Sequence, residues 1–124
     1  MSIGLAVATI TITDNTQKPQ NLYDLLTKAN LAGYSVVPPP AVSANVPTLI
    51  ASVCYLSIQA SYANAATIYK GDSGVKTDGT RQAKELLPGD TDVQQAVQYA
   101  VNLNEIYITA SANGGKVNVE VHGG

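Results

Sequence analysis

Gly71-Asp72-Ser73-Gly74 is the one string in this 124-residue chain that looks catalytic. A nucleophilic serine needs a positioned base, and a supporting acid behind that base. The only histidine is His122, third from the end of the sequence. Asp90-Thr91-Asp92, taken with Asp72 and Asp78, suggests a calcium site. Calcium needs six to eight oxygen ligands on a tight loop, ordinarily with alternating acidic spacing closed by glycine. That spacing is absent, so solvated loop carboxylates are expected, with Asp90 supporting its own turn.

The serine string matches the surroundings of the nucleophile in chymotrypsin-like proteases, but there the histidine precedes the serine. Here it follows, and a turn made of turn-forming residues is the plainer reading. His122 has no second histidine and no neighbouring cysteine with which to hold a metal, and it is expected on the surface. Cys54 is the sole cysteine, which rules out an internal disulfide and a cysteine-based zinc site. Set among Val53, Tyr55 and Leu56, it reads as a buried, inert thiol. Gly114-Gly115 links two strands and opens no helix, so it is not a phosphate loop. No catalytic, cofactor-binding or metal-binding residue is expected, and the chain reads as non-enzymatic.

The elements that would position these residues are mostly strands. Hydrophobic residues make up 45% of the chain and charged residues only 13%, about half the usual share. Thr, Ser, Asn and Gln must therefore cover much of the surface, and they suit exposed strand faces and loops. Phe and Trp are absent and every aromatic is Tyr, which leaves Val, Ile, Leu and Ala to build a shallow core. Oligomerisation or docking on a larger lattice is one way for such a domain to gain stability. The net charge is −2, with no basic stripe to neutralise a phosphate backbone, so nucleic-acid binding is not expected. The N-terminus lacks a signal peptide's basic region, and the apolar run from Val46 to Ile58 is too short and too interrupted for a membrane span. The chain reads as one soluble domain made in a cytoplasm.

Residues 3–13 read as a strand with a fault. Ile3, Leu5 and Val7 take odd positions while Ile10 and Ile12 take even ones, which predicts a bulge near Ala8-Thr9. Leu22, Leu25, Leu26 and Ala29 have helical spacing, with Asn21 as cap, Asp24 in the first turn and Gly33 at the exit. This predicts a helix over 21–29. Pro38-Pro39-Pro40 and Pro47 mark residues 35–48 as an extended arm. Cys54, Leu56, Ile58 and Ala60 alternate with Tyr55, Ser57 and Gln59, predicting a strand, and Ala66 to Lys70 predicts another beside it. Residues 92–101 fit either a strand or a helix; the β-rich surroundings favour a strand. Ile106-Tyr107-Ile108-Thr109 and Val117, Val119, Val121 flank Asn113-Gly114-Gly115, which predicts a hairpin over 103–121. The expected fold is a mainly-β sandwich or jelly-roll-like barrel. Residues 1–48 (strand, helix and arm) would lead into a β body over 49–124.

The order of segments in the body also carries a resemblance. Leu56-Ser57-Ile58-Gln59-Ala60, then Asn64-Ala65-Ala66-Thr67-Ile68-Tyr69-Lys70-Gly71-Asp72, Leu87-Pro88-Gly89-Asp90, and Asn102 to Ile108 closing on Val117 to Val121, resembles small bacteriophage virion proteins of β-sandwich type. What the resemblance implies is a capsid decoration, or cement, protein located in the virion. Its partners would be the major capsid protein or other virion proteins, and its form a homo-oligomer, with a trimer as the guess from shell symmetry. A tail, collar or fibre-associated module, binding a host glycan or a partner protein, is the alternative. The helix and the Pro-rich arm lie outside that pattern. The Tyr residues serve either reading, because amphipathic aromatics are enriched at interfaces.

Overall fold

Alternating side chains give each strand two faces, and the core forms where the apolar faces of two sheets meet. The computed structural model describes residues 4–28, 31–37, 51–96 and 100–123. In chain order the elements are β1 (Gly4–Ile12), β2 (Gln20–Asn21), α1 (Leu22–Thr27), β3 (Tyr34–Val37), β4 (Ser52–Val53) and β5 (Tyr55–Ala60). They continue with β6 (Ile68–Gly71), β7 (Gln82–Leu86), β8 (Thr91–Gln95), β9 (Val101–Asn102), a 3-10 turn (Leu103–Glu105), β10 (Tyr107–Ala110) and β11 (Gly115–Gly123). A five-stranded sheet runs β3-β1-β11-β5-β8, a four-stranded sheet β2-β10-β6-β7, and β4 pairs only with β9. The chain is mainly β, as expected.

The pairing follows one plan. β1 pairs with β11, β2 with β10, β5 with β8 and β6 with β7, all antiparallel. The chain is thus a double ribbon of paired strands rolled so that successive pairs fall in alternate sheets, which is jelly-roll wiring. Leu56, Ile58, Val117, Val119, Val121, Ile10 and Ile12 of the larger sheet are buried against Ile68, Leu86 and Ile108 of the smaller. Tyr23 and Tyr34 pack at the margin of this aliphatic core.

This plan corrects the expected hairpin over 103–121. β10 and β11 lie in different sheets, so residues 111–114 form an arch and not a hairpin turn. The reason is that both edges of β11 are already taken, by β1 and by β5. Ile108 and Ala110 therefore meet the valines of β11 across the core instead of beside them. The Asn-Gly signal is still used. Gly114 has φ +90° and donates its N–H to the Ile12 carbonyl at 2.7 Å, while the Asn113 side chain accepts from Asn15 N at 2.7 Å. β5 and β6 are likewise divided between the sheets and do not pair.

Other expectations shift for local reasons. β1 keeps continuous register with β11 and has no bulge. Ala8, Ile10 and Ile12 are buried, whereas Val7 is 47% exposed, so its apolar residues serve two faces of a regular strand. The helix ends at Thr27, and Ala29 lies outside the described residues. Its start is as expected: the Asn21 side chain accepts from Asp24 N at 2.8 Å. Gly33 (φ +86°) serves the turn into β3, its carbonyl accepting from Thr13 and Asp14.

The expected arm begins as a strand, since Tyr34 to Val37 form β3; Pro38-Pro39-Pro40 and Pro47 lie outside the described residues. Nor is the N-terminal stretch separable, because β1 stands between β3 and β11. Of the stretch 92–101, where a strand is favoured, residues 92–95 and 101 are strand, Ala96 and Ala100 are not, and residues 97–99 lie outside the described residues. β7 had no apolar alternation to reveal it: Gln82 to Glu85 are exposed and only Leu86 is buried.

Each open side of the sandwich is closed by a polar contact between the sheets. On one side α1 packs against β2, β3 and the 3-10 turn. There the Tyr34 hydroxyl donates to the Ile108 carbonyl at 2.7 Å and accepts from Gln20 N at 3.2 Å. On the other side Lys70 of β6 is buried and its ammonium donates to Asp92 and Gln94 of β8. This ion pair is mostly withdrawn from water, with side-chain exposures of 11% and 21%. Removing one partner of such a pair strands the other charge, which costs far more than the pair itself contributes.

Lys70→Met should cost about 3 kcal/mol of unfolding free energy in urea titration, and adding Asp92→Leu should recover most of it. A single-variant loss below about 1 kcal/mol would show the seam to be solvated and dispensable. Tyr34 gives a pH dependence. Burial pushes its phenol from 10.0 up to about 12. With the folded value above the unfolded one, the contribution is whole below pH 10 and disappears as pH rises through 12. The loss amounts to about 3 kcal/mol. Tyr34→Phe should be less stable at neutral pH and show a flatter alkaline decline, read by thermal melts from pH 9 to about 12.

Candidate functional surface

The catalytic-looking string is a turn. Gly71 ends β6, and the Asp72 carboxylate accepts from Gly74 N at 2.8 Å and pairs with Arg81 at 2.7 Å. The Arg81 hydrogen bond is the chief reason that the Asp72 carboxyl sits below its ordinary range. Arg81 itself has φ +64°, a conformation L-residues rarely adopt, and its Nε comes within 2.8 Å of where a Cβ on Gly74 would stand. Ser73 is exposed. His122 is committed elsewhere: its Nε2 lies 2.7 Å from Glu120, and its ring meets Tyr55 edge-on at 5.0 Å. The structure does not bring serine and histidine into contact.

The aspartates are also dispersed. Asp90 accepts from Leu87 N at 3.0 Å and so supports its own turn, as expected. Asp92 is engaged by Lys70. Asp78 is held by Thr80, whose hydroxyl is the chief reason for its lowered pKa, and Asp14 is held in the same way by Thr16. Among the described residues no group of three His, Cys, Asp or Glu side chains could hold a metal ion.

Cys54 corrects an expectation: it is exposed, not buried. It lies at the bend between β4 and β5, one residue before the regular alternation begins, and its thiol donates to the His122 carbonyl at 3.2 Å. Leu56, Ile58 and Ala60 do face the core, as the alternation predicts. Three side chains with clear structural roles escaped sequence reasoning. Arg81 and Tyr34 carry no local signal. Lys70 does carry one, since it occupies the same strand parity as Ala66 and Ile68.

What remains is a surface. Directly opposed residues of an antiparallel ladder share a face, so the registers map the outer side of the five-stranded sheet. One row across it reads Val37, Thr9, Asn118, Gln59 and Thr91. The next reads Val7, Glu120, Ser57 and Val93. Thr9 donates to Asn118 at 2.9 Å, so neighbouring polar side chains hold one another. Val7, Val37 and Val93 are 47%, 63% and 49% exposed. Charge is sparse, and Glu120 is partly satisfied by His122.

A second exposed group gathers at loops. Tyr62 is 80% exposed and its ring lies against Gly89, close to where a Cβ would be; Leu87 nearby in sequence is also exposed. Among the described residues no helix is long and apolar enough to cross a membrane. Comparison with protein-family models, curated proteins and solved structures found no match to this chain.

Proposed function

We propose that this chain is a non-enzymatic structural protein of a bacteriophage particle, acting as a capsid decoration protein that stabilises the head through lattice contacts. The observation that carries the reading is the outer face of the five-stranded sheet, which is broad, neutral and dotted with exposed valines. Such a face loses little on desolvation, since its hydroxyls and amides can exchange water for a partner's backbone groups while the valines gain apolar contact. Jelly rolls are recurrent in viral capsid domains, which agrees by analogy of fold alone. The resemblance of the order of sequence segments in the body to small phage virion proteins points the same way. The major capsid protein is the proposed partner.

A second reading is favoured by Tyr62. An exposed aromatic beside a glycine turn can stack on a sugar ring, and lectins also use the jelly roll. Binding of the purified chain on a glycan array, with loss in Tyr62→Ala, would support a tail or fibre module instead.

Mass spectrometry of purified particles, with copy number, tests the first reading. The chain should be recovered in many copies per shell, and its absence from the particle would sink the assignment. On shells lacking the protein, the double variant Val7→Lys, Val37→Lys should bind at least about tenfold more weakly. Its stability should change by less than about 1 kcal/mol, because both sites are exposed.

A further inference from the structure

An edge strand leaves alternate N–H and C=O groups without a ladder partner, and proteins ordinarily protect such edges with Lys, Pro, bulges or shortness. Among the described residues the two main sheets end in β3, β8, β2 and β7. β7 carries Lys84 and Glu85, and its ladder is irregular where it meets Lys70/Gly71. β3 is followed in sequence by Pro38-Pro39-Pro40, and β2 has only two residues. β8 reads Thr91-Asp92-Val93-Gln94-Gln95, without proline or a basic residue. Its single charge, Asp92, points into the sandwich and is neutralised there by Lys70.

The backbone of β8 faces both ways. Ala96 N donates to the Cys54 carbonyl at 2.8 Å, and Ala60 N donates to the Asp90 carbonyl at 2.9 Å. Register places Gln94 opposite Leu56 and Asp92 opposite Ile58. Even-numbered residues therefore direct their amide groups to β5, and alternation sends those of Thr91, Val93 and Gln95 to the open edge.

We propose that β8 is a pairing edge and that its occupant is β8 of a second copy, antiparallel about a two-fold axis at Val93. Self-complementarity selects this occupant. Val93 then faces Val93 of the second copy, Thr91 faces Gln95, and Asp92 faces Gln94, so no like charges are directly opposed. The two five-stranded sheets become one continuous sheet, and the neutral outer rows run on across the axis. This is a two-fold contact and not the trimer suggested by shell symmetry. It stands apart from the virion reading, since a monomer could equally decorate a shell.

Sedimentation velocity over a concentration series tests it. The wild-type chain should dimerise reversibly. Val93→Lys and Val93→Glu, each alone, should weaken the dimer at least about tenfold by placing like charges across the axis. An equimolar mixture of the two should restore it, because Lys then meets Glu. Val37→Lys, on the opposite edge of the same sheet, should leave it unchanged. Circular dichroism should be unaltered in all three, Val93 and Val37 both being exposed. A wild-type chain that stays monomeric overturns the proposal and leaves β8 to a strand of another protein. A Val93→Lys variant that dimerises like wild type, or a mixture that fails to recover, overturns the axis.

Discussion

The ladder between the first and last strands is the constraint on which the rest depends. β1 and β11 pair along their whole length, Gly4 with Gly123 through Ile12 with Gly115. Once β5 occupies the other side of β11, no edge of that strand is left. β10 must then leave the sheet, and the chain reaches it through an arch. β2, which follows β1, meets β10 in the opposite sheet, and the same logic rolls the next pairs in turn. Contacts so distant in sequence are slow to form, because loop-closure entropy is lost before any ladder bond is gained. The arch eases this at one point: Gly114 and Asn113 tie residues 12 and 15 to the entry of β11.

A core without Phe or Trp sets the second requirement. The aliphatic side chains between the sheets fill the centre, but the margins need something longer. Tyr34 and Lys70 are the long side chains that cross the gap, one on each open side. They differ in kind. The phenol hydrogen-bonds two backbone groups of the opposite sheet, Gln20 N and the Ile108 carbonyl, which favours it over an apolar replacement. Lys70 and Asp92 need one another because neither can be left alone. Such a pair contributes little net stability, but it fixes which residues of β6 and β8 can meet. A slip of one residue in either strand would turn its charge to the wrong face.

Sequence reasoning reached the fold class because alternation is local: Val117, Val119, Val121 and Leu56, Ile58, Ala60 declare their faces without reference to a partner. It missed the partners because pairing is not local. Asn113-Gly114-Gly115 specifies a reversal of the chain, and a reversal serves a hairpin or an arch equally well. β7 was invisible for a different reason, since an edge strand with one buried residue has no pattern to read. The surface was legible only as composition. Scarcity of charge implied neutral strand faces, but not that Val7, Val37 and Val93 share one of them. The turn at Gly71-Asp72-Ser73-Gly74 was legible, because all four of its residues are turn formers.

Neutral faces and quiet edges make conflicting demands. A sheet whose outer rows are mostly Thr, Ser, Asn, Gln and Val carries little charge, so little electrostatic repulsion opposes association. In a domain meant to remain alone, edge charges ordinarily supply that repulsion. Here β7 has them and β8 does not, although a single linker joins the two. The charge that β8 does carry is turned inward and cancelled, which serves cohesion of the two sheets at the expense of edge protection. Lys70 therefore has two consequences from one contact: it closes the sandwich, and it leaves the strand beyond it neutral. A chain that needed only stability could have used an apolar pair at that seam and placed its aspartate on the rim.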